Sequence, residues 1–273
     1  MKTWFTISEL AAAQGVSRQC LIWYDRIGLF RPERVDPGNG YRYYSSDQLD
    51  ALDTIMMMKA TGMPLDQIRK ELEDYSTSSS QRTLDESIVE IDRKISALKA
   101  VRRRLVNRLD SIREATSHSA GQIVEAARDR MYLYTYPVKP PYSLNDVSLA
   151  TKKCLARAKA EGADVDFITG AILPLDRLRA GRYLETTEVF LPCSGPRKGR
   201  TVTLDAGHTV SIYHVGAYER AGESYEKLIA YCREHGLEMT SPSYEFALND
   251  YLTTRDKGEY MTRLTVYVRS CGT

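Results

Sequence analysis

The feature that most constrains the fold is a helix–turn–helix pattern close to the N-terminus. Thr6 and Glu9 have the spacing of a capping box, which predicts a helix over residues 7–14. Gly15 supplies a tight turn, because glycine adopts a positive φ at little cost, and the next amphipathic stretch predicts a second helix over 18–27. Two short helices joined in this way can place the second one in the major groove of DNA. An unrelated helical hairpin with a solvated first turn is the alternative at this point.

A turn-rich segment and two more helices extend this pattern. The run D-P-G-N-G at 36–40 is strong turn chemistry, and short strands over 33–35 and 41–44 would flank it as a hairpin. Amphipathic stretches then predict a third helix over 47–61, capped by Ser45 or Ser46, and a fourth helix over 64–74. Two helices, a hairpin and two helices make a winged helix-turn-helix, which favours DNA binding over the plain hairpin.

The candidate DNA contacts come from position, not from overall charge. Residues 1–75 contain nine Lys and Arg against eleven Asp and Glu, a net charge of −2. Arg18 and Gln19 fall in the first turn of the second helix, where Arg can pair with guanine and Gln with adenine. On the hairpin, Arg42 offers a charge and Tyr43 a neutral hydrogen bond to a phosphate backbone.

This segment resembles the MerR-type transcription regulators. The motifs that carry the resemblance are I-S-E-L-A, G-V-S, W-Y-D, I-G-L-F, G-Y-R-Y-Y and G-M-P-L-D-Q-I. The resemblance implies a DNA-binding domain over residues 1–75, in which Ile22 stands where the family usually has Arg. It implies DNA contacts from Arg18, Tyr24, Arg42, Tyr43 and Lys59.

A long apolar repeat follows a polar break at 76–80 and predicts a coiled-coil helix over residues 81–118. Its apolar positions recur at spacings of mostly four and three, the a/d pattern of a coiled coil. They are Leu84, Ile88, Ile91, Ile95, Leu98, Val101, Leu105, Leu109 and Ile112. The basic residues between 93 and 108 are interpreted as a solvated face in preference to a nucleic-acid patch. Because such a seam is exposed until a partner covers it, a homodimer is predicted, and the MerR resemblance implies antiparallel pairing.

The C-terminal half contains an internal repeat of strand–helix–strand–strand units, one over 130–192 and one over 208–268. Two such units can form a curved antiparallel sheet with helices on one face and a cleft between the halves. Together with the N-terminal part, this predicts an α+β chain whose C-terminal domain covers 122–273.

Tyrosines are concentrated in this half, and Glu245 lies among them on a predicted strand. A carboxylate in an aromatic cleft needs a partner, which an organic cation would provide. The alternative is that Glu245 points to solvent.

The motifs H-x-G-x-Y at 214–218, S-Y-E-K-L at 224–228, Y-E at 244–245 and the final T-R-L-T-V-Y-V resemble the GyrI-like ligand-binding domain. Arg263 stands where that family often has a second acid. Glu185 or Glu188 is expected to supply the missing negative charge. The ligand-binding residues expected on this basis are Glu245, Tyr244, Tyr134, Tyr213, Tyr267 and Glu185.

The sequence therefore predicts a ligand-responsive transcription regulator that acts as a homodimeric activator, and the resemblance implies one of the multidrug-sensing kind. The resemblance implies that it binds promoter DNA with RNA polymerase and untwists the promoter spacer when a small amphipathic, cationic or aromatic effector binds. No metal is expected, since the five cysteines are scattered, and no catalytic residues are expected, since no Ser–His–Asp or Cys–His arrangement is legible. No cofactor is expected either. Without an apolar membrane-length run or an export signal, a cytoplasmic location is expected. The alternatives are a small-molecule hydrolase and a drug-sequestering protein.

Overall fold

The computed structural model describes residues 4–73 and 76–270. It divides into two compact units, Met1–Leu98 and Lys99–Thr273, each of which mixes helices and strands as the sequence predicts. The expected end of the fourth helix, Asp74, and one of the five cysteines, Cys271, lie outside the described residues.

The N-terminal unit contains the elements expected of a winged helix-turn-helix. They are β1 (Trp4–Thr6), α1 (Ile7–Ala13), α2 (Arg18–Arg26), β2 (Arg34–Val35), β3 (Arg42–Ser45), α3 (Asp47–Ala60) and α4 (Leu65–Glu73). The long helix α5 (Thr77–Ser117) begins in this unit and ends in the C-terminal unit. Strand β1 is not among the predicted elements, and it pairs with β3 to give a sheet of order β1-β3-β2. The hairpin is therefore held on both sides of its second strand.

Local hydrogen bonds explain where these helices begin. The predicted capping box is formed, with the Thr6 N–H donating to Glu9 Oε2 at 2.7 Å. The Ser17 hydroxyl caps α2 by accepting from the Cys20 N–H at 3.1 Å. Ser46 occupies the N-cap position of α3, as one of the two expected residues, but its side chain makes no cap bond. Gln48 Oε1 accepts the Ser45 N–H at 3.2 Å instead.

Helix α5 begins at Thr77, four residues before the predicted start and inside the predicted polar break. The serines extend the helix because they cap it: the Ser76 N–H donates to Ser79 Oγ at 2.9 Å, and the Ser79 N–H donates to Ser76 Oγ at 3.2 Å. The apolar seam is exposed along the single chain, with Leu98 69% and Leu105 58% accessible. Such a surface is unusual in a chain with no partner.

The C-terminal unit has the predicted duplicated topology. After α5 come β4 (Ile123–Arg128), β5 (Met131–Pro137), α6 (Leu144–Ala160), β6 (Gly170–Leu173), α7 (Leu175–Arg179), β7 (Glu188–Cys193), β8 (Thr201–Leu204), β9 (Gly207–Val215), α8 (Ala221–Glu234), β10 (Leu237–Met239), β11 (Ser243–Asn249) and β12 (Met261–Ser270). The described strands form one antiparallel sheet of order β4-β9-β12-β11-β6-β7-β5-β8, with β10 beside β12. The two repeats meet at β11 and β6.

The strand that precedes each repeat along the chain pairs with the other repeat. Strand β8 precedes the second repeat along the chain but pairs with β5 of the first, while β4 precedes the first repeat and pairs with β9 of the second. This exchange ties the two halves into one sheet.

The sheet has a different cover on each face. Helix α6 packs over Val189 and Leu191, and helix α8 packs over Ile212 and Leu264. These residues share one face, since cross-strand neighbours point the same way. On the opposite face, the back face, Ala115 of α5 packs among residues such as Phe190, Tyr213 and Phe246.

Candidate ligand-binding site and DNA-binding surface

The strand register places Glu245 at the centre of the helix-covered face. A row of cross-strand neighbours runs over β9, β12, β11, β6 and β7: Ile212, Leu264, Glu245, Ala171 and Val189. The first two residues lie under α8 and the last lies under α6. Glu245 is therefore the carboxylate of this row, at the junction between the two repeats.

Two tyrosine hydroxyls hold the Glu245 carboxylate. Tyr218 donates to Oε2, and Tyr225 donates to Oε1 at 2.5 Å. The Tyr225 hydroxyl is also 3.0 Å from Ser243 Oγ. Glu245 is only 2% exposed, so the interpretation of it as a solvent-facing residue is wrong. These partners satisfy the carboxylate oxygens with hydrogen bonds and leave its charge without a counter-ion among them.

Burial controls the electrostatics of this cluster. Desolvation raises the pKa of Glu245 to about 7, and the hydrogen bonds from Tyr218 and Tyr225 oppose the rise. Burial and the neighbouring carboxylate raise the pKa of both tyrosines well above the usual range, which keeps them neutral donors. A cation placed beside Glu245 would favour the ionised form of its carboxylate and act as its counter-ion.

A third tyrosine extends the aromatic surface. The Tyr183 ring stacks on Tyr225, with centroids 5.2 Å apart and planes 15° from parallel. It lies in the segment between α7 and β7 and crosses the start of α8, where a Cβ at Gly222 would come within 3.0 Å of it. The resulting site consists of a carboxylate and flat aromatic faces. This is the chemistry that binds organic cations.

The other expected ligand residues lie elsewhere. Tyr244 points to the back face, because consecutive strand residues point to opposite faces, and it meets Tyr267 edge-on at 6.2 Å. Tyr213 also lies on the back face. Tyr134 is buried under α6, and its hydroxyl donates to Glu161 at 2.7 Å.

The predicted compensating acid is already paired. Glu185 Oε2 lies 3.4 Å from both Arg177 Nη1 and Arg182 Nη1. Arg263, the departure from the family pattern, is on the back face with its own partner, Glu114 of α5. Glu185 is therefore neutralised by its arginines, and Arg263 belongs to a separate ion pair on the back face.

Sequence reasoning assigned no individual role beside Glu245 to Tyr218, Tyr225 or Tyr183. The first two lie inside the H-x-G-x-Y and S-Y-E-K-L motifs, so the signal was present in the sequence. Their convergence on Glu245 depends on how α8 packs, which no local pattern reveals. No comparable motif marks Tyr183.

The candidate DNA-binding residues lie on α2, the wing and α3. Arg18 and Gln19 are exposed in the first turn of α2. Arg42 Nε donates to Asp25 Oδ2 at 2.8 Å, which ties the wing to α2, and Tyr43 beside it is half-buried.

Of the expected contacts Tyr24 and Lys59, only Lys59 lies on the surface. The Tyr24 ring is a core residue, 1% exposed, and the exposed Lys59 places its Nζ 5.8 Å from that ring. Ile22 packs against the core cluster of this unit. An apolar contact therefore occupies the position at which the sequence departs from the family.

Comparisons with known proteins agree with both halves. Residues 5–75 match the MerR HTH family of regulatory proteins, residues 49–108 match the MerR DNA-binding family, and residues 176–269 match the GyrI-like small-molecule-binding domain. No helix within residues 4–73 and 76–270 has the length and apolar character needed to cross a membrane. In the same ranges, no group of three or more His, Cys, Asp or Glu side chains could hold a metal ion.

Similar proteins match over nearly their whole length. The multidrug-efflux transporter 2 regulator of Bacillus subtilis is 35% identical over 249 residues, 90% of this chain and 89% of that protein. The multidrug-efflux transporter 1 regulator of the same organism is 23% identical over 283 residues, 98% of this chain and 99% of that protein. The protein chain of an EcmrR–DNA complex, solved by cryo-electron microscopy, aligns over 97% of this chain and 100% of its own length. The sequence identity is 20% and the TM-score is 0.46. The chain belongs to the MerR family of ligand-responsive transcription regulators and carries a GyrI-like small-molecule-binding domain.

Proposed function

We propose that this regulator is a homodimeric activator that responds to amphipathic organic cations bound beside Glu245. The observation that carries the proposal is the buried carboxylate, which has two tyrosine donors, no counter-ion among its hydrogen-bond partners, and a pKa raised to about 7. The names of the two Bacillus subtilis relatives support a gene for a multidrug-efflux transporter as the target.

Each part of the chain has its own role in this proposed function. Residues 1–75 bind promoter DNA, residues 81–118 form the dimer seam, and residues 122–273 bind the effector. The exposed apolar seam of α5 supports the homodimer. With RNA polymerase on the same promoter, effector binding untwists the spacer, a mechanism that uses DNA deformability as well as base contacts.

The test uses the full-length protein and a pair of probes with the same shape and opposite charge. Tetraphenylphosphonium should bind the wild type and increase transcription from the operator that footprinting identifies, whereas tetraphenylborate should do neither. Glu245→Gln should weaken tetraphenylphosphonium binding at least about tenfold, the effect of losing one charge-assisted contact. Glu238→Gln, which removes an exposed carboxylate paired with Arg269, is the matched control.

Two results would contradict the proposal. One is equal binding of both probes, which would show that charge does not select the ligand. The other is tight probe binding without any footprint or change in transcription, which is the behaviour of a drug-sequestering protein.

Hydrolysis of a small molecule is the second candidate function. A carboxylate whose pKa is about 7 and that touches two tyrosine hydroxyls could activate water as a general base. This candidate predicts turnover of small esters or amides by the purified protein, abolished in Glu245→Gln. Absence of turnover, together with probe-dependent transcription, would favour the regulator alone.

A further inference from the structure

Helix α5 presents two different faces within the C-terminal unit. Val101, Leu105 and Leu109 continue the exposed apolar seam on one side. At 100° per residue, Glu114 lies opposite that seam, whereas Arg108, one heptad after Val101, lies at the edge of the seam. The last turns of α5 therefore contact the effector domain both opposite the seam and at the edge of the seam.

Glu114 is the first of two ionic anchors. Arg263 Nη1 on β12 lies 2.6 and 2.7 Å from its two carboxylate oxygens, and the Tyr213 hydroxyl donates to it at 2.7 Å. The Arg263 side chain is 9% exposed, and its guanidinium lies 4.6 Å from the centre of the Phe246 ring. The pKa of Glu114 is lowered despite its burial, because the charge of Arg263 and these hydrogen bonds favour the carboxylate.

Arg108 forms the second anchor. Its Nη2 lies 2.7 Å from Asp250 Oδ1, with side chains that are 11% and 10% exposed, and it also donates to Thr253. Asp250 follows directly after Asn249, the last residue of β11. Both anchors thus hold α5 to β11 and β12, the paired strands at the centre of the sheet.

These strands also carry the proposed ligand site on their other face. Glu245 points toward the tyrosines, and the next residue, Phe246, points to the back face under Arg263. Leu264 pairs with Glu245 across the strands, and Arg263 pairs with Phe246. Only the thickness of one β-sheet separates the ligand site from the anchors.

We propose that the pairs Glu114–Arg263 and Arg108–Asp250, here called the helix clamp, transmit occupancy of the Glu245 site to α5 and hence to its dimer seam. This inference rests on the proposed function. Buried ion pairs suit this role because they have discrete made and broken arrangements, and breaking one leaves an uncompensated charge. The clamp residues act through β11 and β12 and do not touch the ligand.

The experiment measures amide hydrogen exchange of residues 108–117 in the full-length protein without a ligand, with Glu245→Gln as the perturbation. In the otherwise wild-type protein, neutralising Glu245 should change the exchange rates of this segment at least about fivefold, the lower end of usual coupling energies. In the double variant Glu114→Gln/Arg263→Met, and separately in Arg108→Met/Asp250→Asn, that change should be lost. Both double variants remove the two charges together, so that no buried charge is left unpaired.

The matched control is Arg103→Met/Asp164→Asn. This pair, with Nη1 and Oδ2 2.6 Å apart, also joins α5 to the effector domain, but at the segment between α6 and β6. Its removal should leave the response to Glu245→Gln unchanged. If one clamp variant does not melt cooperatively, the other provides the test.

Three results would overturn the proposal: no response in the wild-type background, an unchanged response in a folded clamp variant, or an equal loss in the control. The measurement needs no effector, so it is independent of whether tetraphenylphosphonium binds. Failure of probe binding with a clamp-dependent exchange response would reject the ligand class and retain the clamp.

Discussion

The partners of the buried Glu245 carboxylate are hydrogen-bond donors and not a charged group. The hydroxyls of Tyr218 and Tyr225 donate to its two oxygens, but neutral donors compensate only part of the desolvation of a charge. The site therefore keeps an electrostatic cost that a bound cation would relieve. Such a cost is common at functional sites and rare in a purely structural core.

This cost predicts a pH-dependent difference in stability between the wild type and Glu245→Gln. The folded-state pKa of Glu245 is raised from 4.5 to about 7, so its contribution to stability is fully present below pH 4.5 and is lost as the pH rises through 7. The loss amounts to at most roughly 3 kcal/mol. Because Gln does not titrate, the variant should gain on the wild type between pH 4.5 and 8.

Urea unfolding of both full-length proteins at pH 5 and pH 8 measures this difference. Other carboxyl groups titrate in both proteins and cancel in the comparison. A difference in unfolding free energy that is the same at both pH values would show that Glu245 has an ordinary pKa.

Individual DNA contacts can also be tested at the residue scale. Arg18→Ala should cost about 1–3 kcal/mol of operator binding and relax the preference for one base, since Arg18 is exposed in the first turn of α2. Lys59→Ala should weaken binding to operator and scrambled DNA alike and reduce the salt dependence, as loss of a phosphate contact does. Fluorescence anisotropy with both DNAs at two salt concentrations distinguishes the two effects. Equal losses and equal salt slopes for the two variants would contradict these roles.

The sequence could indicate the acid of the ligand site but not its surroundings. Glu245 was recognisable from its motif, whereas its sequence neighbour Tyr244 belongs to the other face of the sheet. Tyr225 reaches Glu245 from a helix 20 residues earlier, and Arg263 finds Glu114 across 149 residues. Contacts of this range depend on tertiary packing, which residue spacing does not encode.

At the scale of elements, the sequence predicted most helices and the repeated strands. Those signals are local: capping residues, turn glycines and apolar periodicity. The exchange of β4 and β8 between the repeats was not predictable, because their order in the sheet differs from their order along the chain. The basic stretch of α5 was only partly a solvated face, since Arg103 and Arg108 bind acids of the effector domain.

Helix α5 provides a prediction about the dimer with an internal control. Leu98 and Val89 are equally exposed, at 69% and 68%, but their nine-residue separation places them about half a turn apart. Leu98→Glu should therefore break the dimer, because it puts a charge into the apolar seam, while Val89→Glu should not. Light scattering after gel filtration should give the 30.9 kDa monomer for the first variant and twice that mass for the second. Equal behaviour of the two variants would place the interface elsewhere.

At the scale of the whole molecule, α5 connects two kinds of recognition through one chain. The DNA-binding half and the effector half each match a known family over their own residues. A regulator built in this way can act by changing the shape of DNA that it already occupies, so the effector need not alter its affinity for the operator. The free energy for that change is limited by the difference in effector affinity between the two DNA shapes.

Shortening the promoter spacer one base pair at a time tests this mechanism directly. If the effector-bound dimer untwists an overlong spacer, a shortened spacer should present both promoter elements to RNA polymerase without help. Transcription from it should become high without protein, and the protein with tetraphenylphosphonium should then no longer increase it. In vitro transcription with wild-type and shortened templates measures both effects, and footprinting confirms that the dimer still occupies each template. Undiminished activation on every shortened spacer would mean that the regulator recruits polymerase by contact, and the untwisting mechanism would have to be abandoned.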